Sequence, residues 1–153
     1  MRDPKQIIRL KVLWLAFLSL GLIYSAMLLG VYITASHQGL SCPGWPLCPN
    51  KFNFPPDKYF FEHFHRMIAI VGASIVLVML GYAVRSAKYV RRGAIATGIA
   101  ISIQILLGML VVNTKLQAFL VAAHLLNGVV LFTLALITFV SAYRNSKLGL
   151  RAL

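Results

Sequence analysis

Acidic residues are scarce in this 153-residue chain, which has 3 Asp and Glu against 15 Lys and Arg. Only 12% of the residues are charged while 59% are hydrophobic, a balance that excludes an ordinary soluble domain, whose core could not hide so much apolar surface. Four segments contain no Asp, Glu, Lys or Arg at all: Val12 to Asn50, Met67 to Val84, Gly93 to Thr114 and Leu116 to Tyr143. Crossing about 30 Å of hydrocarbon takes roughly 20 helical residues, so each segment supplies one span. The first is longer than a span needs, and its tail from Ser36 carries Gly39, Pro43, Gly44, Pro46 and Pro49, which break helices and mark a loop. Polar and apolar residues do not alternate, and lipid does not tolerate open sheet edges, so the spans are helical.

The chain therefore reads as one all-α membrane domain over residues 1–153, a four-transmembrane-helix bundle with helices at about 8–35, 60–84, 93–113 and 118–142. A long first extracytoplasmic loop covers 36–59. The formal charge of +12 follows this topology. Arg2, Lys5, Arg9 and Lys11 precede the first span, Arg85, Lys88, Arg91 and Arg92 lie between the second and third, and Arg144, Lys147 and Arg151 follow the fourth. Lys51, Lys58, Arg66 and Lys115 are left for the other side. By the positive-inside rule both termini are cytoplasmic, in a multi-pass protein of the cell (plasma) membrane, with anionic membrane lipid as a further contact. Cations placed this way are a topology signal rather than a nucleic-acid surface. The first apolar run, about 24 residues with no clear cleavage site, is too long for a signal peptide and is expected to be a span.

A faint internal repeat accompanies the spans. Leu28-Leu29-Gly30 and Leu106-Leu107-Gly108 each precede a Thr, a turn and a helix with an early histidine, a match that chance can also produce in Leu-rich spans. Gly21, Ser25, Gly72, Ser74, Gly98, Ser102, Gly108 and Gly128 are expected to let helices pack closely.

Chemistry is confined to few residues. Of four histidines, His65 and His124 sit about one turn inside the loop ends of the second and fourth helices, hence at similar depth. An imidazole facing lipid is costly, so both are expected to point inward. Two neutral rings at one level suit the two faces of a heme; a hydrogen-bonded core histidine or a proton relay is the alternative for each. Arg66 with Lys51, Lys58 and Lys115, and the two helix N-termini, would meet the heme propionates there. Asn127, three residues after His124, is a candidate hydrogen-bond partner for the site or for a neighbouring helix. Glu62 shares a helix face with His65 and lies four residues from Arg66, so it reads either as a proton acceptor beside the cofactor or as half of an ion pair. His63 falls on another face and is expected at the interface, as is His37 in the loop.

Only two cysteines are present, which argues against a relay between two disulfides and against a four-ligand zinc site. Cys42 and Cys48 flank Pro43-Gly44-Trp45-Pro46-Leu47 and are expected to form a disulfide, either a structural staple or an exposed, redox-active bond.

Ser41-Cys42-Pro43-Gly44-Trp45-Pro46-Leu47-Cys48, then Glu62-His63-Phe64-His65-Arg66, Gln104 with Gly108 and Val111-Val112, and His124 together resemble the heme A synthase family over about Thr34 to Phe132. The resemblance implies an oxidoreductase that oxidises a ring methyl of heme O to the formyl group of heme A for terminal oxidase biogenesis. It also implies His65 and His124 as axial ligands of heme iron (heme b or heme O), Glu62 as the acidic residue of the chemistry, and Cys42 and Cys48 as a pair assisting heme handling or electron flow. Heme O synthase and oxidase assembly factors are the implied protein partners. Most family members have eight spans in two halves, with a histidine pair in each. This chain resembles one half, so a homodimer or higher homo-oligomer is expected if two hemes are needed. Gly44, where the family pattern calls for an acidic residue, and the His37-Gln38 extension depart from that pattern. The alternative reading is a b-type membrane cytochrome that carries electrons from quinol without modifying its heme.

Overall fold

The structure, a computed structural model, describes residues 4–151, with α1 at Pro4–Ala35, α2 at Phe60–Ser86, α3 at Arg91–Asn113 and α4 at Ala118–Arg151. Arg2 and Asp3, and the side chains of Lys147 and Arg151, lie outside the described residues. Short 3-10 turns, Asp57–Tyr59 and Lys88–Val90, lead into α2 and α3. All four helices are long and apolar enough to cross a membrane, and the chain is a multi-pass membrane protein. The helices outrun the spans read from charge: α1 begins at Pro4 instead of about residue 8, and α4 continues to Arg151 instead of stopping near 142. Charge marks where hydrocarbon ends, whereas Lys and Arg are good helix formers and carry the helix onward. Pro4 suits the opening turn of α1, where its missing N–H costs nothing.

The helices form a ring in which α1 packs on α2, α2 on α3, α3 on α4, and α4 back on α1. Among the described residues, no Cα–Cα approach within 8 Å joins the diagonal pairs α1 with α3 or α2 with α4. Two hairpins, α1–α2 and α3–α4, repeat each other closely. A shift of 78 residues, the step from Gly30 to Gly108, carries the buried Val12, Ala16, Ser19 and Ile23 of the first hairpin onto the buried Val90, Ala94, Thr97 and Ile101 of the second. A shift of 59, the step from His65 to His124, carries buried Gly72, Val76, Met79 and Ala83 onto buried Leu131, Ala135, Thr138 and Ala142. The helix ends match as well. His37 at φ 56° and Lys115 at φ 54° turn the chain out of α1 and α3 through the left-handed region. Gln38 N–H then donates to Ile33 O, and Leu116 N–H to Val111 O, both at 2.9 Å. The sequence repeat is thus the trace of a structural one, carried by backbone and burial more than by residue identity.

The core fills only part of the ring. One buried cluster, with Val12, Ala16, Met79, Ala83, Ala94 and Ala142, occupies the end of the bundle where α2 joins α3. A second, with Ile23, Val76, Ala100, Ile101, Leu131 and Ala135, fills the middle. Toward the loop end this packing stops. Among the described residues, α3 has no buried residue beyond Ile101 and α4 has none before Gly128.

A paired-histidine site under the disulfide loop

Above the last core layer stand His65, on the second turn of α2, and His124, on the second turn of α4. They come from diagonal helices, and each ring is held by the first helix of its own hairpin. His65 Nδ1 lies 3.0 Å from the Ala26 carbonyl of α1, an acceptor only, so Nδ1 carries the proton and Nε2 keeps its lone pair. An added Cβ at Gly30 would fall 3.4 Å from His65 Cε1, and one at Gly108 would fall 3.3 Å from His124 Cε1. The two glycines are repeat-equivalent, and each seats the edge of one imidazole. Gly108 was read from sequence as a helix-packing residue; what it packs against is the imidazole of His124.

The partners of the second ring differ. His124 Nε2 lies 3.2 Å from Gln104 Nε2, and Asn127 Nδ2 lies 2.6 Å from Gln104 Oε1 and 3.0 Å from the Ala100 carbonyl. His124 Nδ1 is buried without a hydrogen-bond partner. Asn127 acts as the expected hydrogen-bond partner of the site, through Gln104 rather than directly. Gln104 was legible only as part of the family pattern.

The loop folds back over the start of α2, where Glu62, His63 and Arg66 are buried. Glu62 Oε2 accepts from Ser41 Oγ and from Cys42 N–H, both at 2.8 Å, and Glu62 Oε1 accepts from Arg66 Nη2 at 2.5 Å. Arg66 also donates to the carbonyls of Gly44, Pro46 and Cys42. The guanidinium expected to meet propionates is therefore committed to the loop, and the ion pair foreseen for Glu62 is formed. His63, expected at the interface, is 4% exposed, with Nδ1 3.3 Å from Asn50 Nδ2. The reason is the same: the loop covers this face of α2. His37 stays exposed at the end of α1, as expected. Lys51, Lys58 and Lys115 are exposed around the loop end.

Cys42 and Cys48 are joined in a disulfide with Cα atoms 5.0 Å apart. Both are buried, at 0% and 2% exposure, so the exposed bond of the redox-active reading is not what the structure holds. The bond closes the segment whose carbonyls Arg66 collects, so loop, ion pair and α2 form one rigid cap beside His65.

A heme fits the residues present by two observations: two imidazoles stand on diagonal helices at equivalent positions of a repeat, and core packing stops beneath them. Fold and site define a multi-pass membrane bundle with a paired-histidine site at one end. The chain belongs to the cytochrome oxidase assembly protein family, whose model matches residues 52–152. It is 27% identical over 149 residues to a heme A synthase of Shewanella oneidensis, covering 85% of this chain and 45% of that protein. To a heme A synthase of Geobacillus thermodenitrificans it is 28% identical over 112 residues, covering 67% of this chain and 34% of the relative. The chain thus spans less than half the length of the curated relatives it matches. Both are heme A synthases, and nothing in the comparison favours the electron-carrier reading.

Proposed function

We propose that this chain acts as a heme A synthase, an oxidoreductase that takes heme O as substrate and converts one ring methyl to the formyl group of heme A. The observation that carries the reading is the repeat-related pair His65 and His124, each seated on a glycine at the level where the core ends. Both would hold heme iron through Nε2, and His65 is already in the tautomer this needs because its Nδ1–H is given to the Ala26 carbonyl. Bound heme would supply the redox chemistry, with the formyl oxygen coming from a water molecule and the electrons and protons passing to an acceptor outside this chain. The protein's own part is to orient the ring and keep bulk water away. Glu62 is the carboxylate nearest that chemistry, and its engagement with Ser41, Cys42 and Arg66 lets it fix a charge beside the ring edge. The exposed Lys51, Lys58 and Lys115 suit the propionates better than Arg66 does, whose two terminal nitrogens are already engaged by the loop and Glu62.

The cap is placed on the extracytoplasmic side of the plasma membrane by the positive-inside rule, with both termini cytoplasmic. One histidine pair serves one heme. If turnover needs a second, resident heme b, two copies associate in a homodimer or higher oligomer, which native mass spectrometry with a heme count per protomer checks. Heme O synthase, as the source of substrate, and oxidase assembly factors are the proposed partners. The deciding experiment is expression with a heme O supply, pigment extraction and chromatography. Heme A is expected with the intact chain and absent with His65→Ala or His124→Ala. Heme b alone in every sample would overturn the assignment.

A further inference from the structure

The two hairpins repeat so closely that one difference between them stands out. The residue four before each seating glycine is Ala26 on α1 and Gln104 on α3. At the first, a backbone carbonyl takes the Nδ1 proton of His65 and leaves Nε2 open. At the second, a side-chain amide reaches the Nε2 of His124 instead. The direction of that contact is fixed step by step. The Ala100 carbonyl can only accept, so Asn127 presents its NH2 group to it and, with the remaining hydrogen, to Gln104 Oε1. Gln104 must then turn its own NH2 toward His124, whose Nε2 accepts and whose proton sits on the partnerless Nδ1.

We infer that Gln104 makes His124 the exchangeable ligand of the site and His65 the permanent one. Gln104 holds His124 in the ligating tautomer yet caps the lone pair an iron needs, so binding replaces an N–H···N bond by an iron–nitrogen bond and leaving restores it. His65 has no such competitor, and its Nδ1–H bond to a carbonyl makes Nε2 the better donor. Gln104 is thus a positioning residue that opens one side of the ring for chemistry without the ring being lost. The inference rests on the heme-binding reading above.

The test uses the full-length protein loaded with heme b, the probe, in detergent. In the ferrous state CO must displace one histidine. The CO adduct of the wild type is expected to share its Fe–CO stretching frequency with that of His124→Ala and to differ from that of His65→Ala. Gln104→Leu is expected to slow CO binding by about fivefold, the worth of one ordinary hydrogen bond to the departing ring. Asn127→Leu, which frees Gln104 without touching the histidine, is expected to slow it in the same direction by less, and keeps the test alive should Gln104→Leu fail to fold. A wild-type adduct matching His65→Ala, or CO rates unchanged or faster in both variants, would overturn the inference while leaving heme binding intact. Wild-type protein that takes up no low-spin heme would instead sink the proposed function itself.

Discussion

Glu62 and Arg66, one helical turn apart on α2, are joined at 2.5 Å and grip the same disulfide loop from opposite sides, Glu62 through its N–H and hydroxyl donors and Arg66 through its carbonyls. A pair exposed to water would contribute little, because solvent screens it and two long side chains lose freedom. Here the two side chains are only 9% and 6% exposed, and both carboxylate oxygens and both terminal guanidinium nitrogens are answered within the protein. Breaking such a pair leaves a buried charge without compensation, which is the costly outcome.

Arg66→Leu is accordingly expected to destabilise the protein by about 3–5 kcal/mol, since Glu62 loses its buried partner while the Gly44, Pro46 and Cys42 carbonyls lose their donor. Glu62→Gln is expected to cost less, because an amide can still accept from Ser41 and Cys42. Thermal unfolding in detergent ranks the two. Equal costs would mean that the ion pair, lost in both variants, carries the cap and that the loop carbonyls add nothing to it.

This cap also shows what the sequence could and could not announce. The four spans were legible because lipid demands about 20 apolar residues in a row and polar residues interrupt them. The pairing of Cys42 with Cys48 and the i, i+4 contact of Glu62 with Arg66 are local and were equally legible. The folding of the loop over His63 was not, since it depends on backbone carbonyls at Gly44 and Pro46 that every residue type supplies. The depth of His65 and His124 could be counted from the helix ends, but the amide relay from Ala100 through Asn127 and Gln104 depends on how α3 and α4 face each other, which spacing along one helix does not fix. The repeat was faint for a related reason. Met79 and Thr138 occupy matching buried places without matching in chemistry.

The glycines that seat the histidines make a second prediction. Ala at Gly30 meets His65 at an ordinary van der Waals distance, and Ala at Gly108 is only slightly tighter against His124. A branched side chain at either place must push the imidazole aside. Gly30→Val and Gly108→Val are each expected to lose most low-spin heme, read from the visible spectrum, while the two alanine variants keep it. Retention of low-spin heme by both valine variants would show that the rings are not seated by these glycines.

The matching helix ends make a third. His37 and Lys115 hold positive φ without being glycine, a conformation that costs an L residue on the order of 1–2 kcal/mol. Glycine avoids that strain but loses more freedom on folding, by roughly 0.5–1 kcal/mol. Lys115→Gly is therefore expected to raise stability by about 0.5–1 kcal/mol without altering the heme spectrum. His37→Gly should behave alike. A lowered melting temperature in both would mean that their side chains hold the turn by contacts that outweigh the backbone term.

Gly93, in the first turn of α3, lies against Thr138 of α4. An added Cβ at Gly93 would stand 2.5 Å from Thr138 Oγ1, a separation real atoms do not adopt. Thr138 cannot simply swing away, because it is 1% exposed, donates to the Leu134 carbonyl and meets Thr97 Oγ1 at 3.3 Å. Gly93→Ala is thus expected to cost about 1–3 kcal/mol, the usual range for overpacking a filled core. Truncating the offending side chain removes the clash, since the next atoms, Thr138 Cβ and Cα, are 3.5 and 3.6 Å from the new methyl. The double variant Gly93→Ala with Thr138→Ala is expected to recover most of the loss. Melting temperatures of the two single variants and the double variant close the cycle, and additive losses would mean that the two positions do not touch in the folded protein.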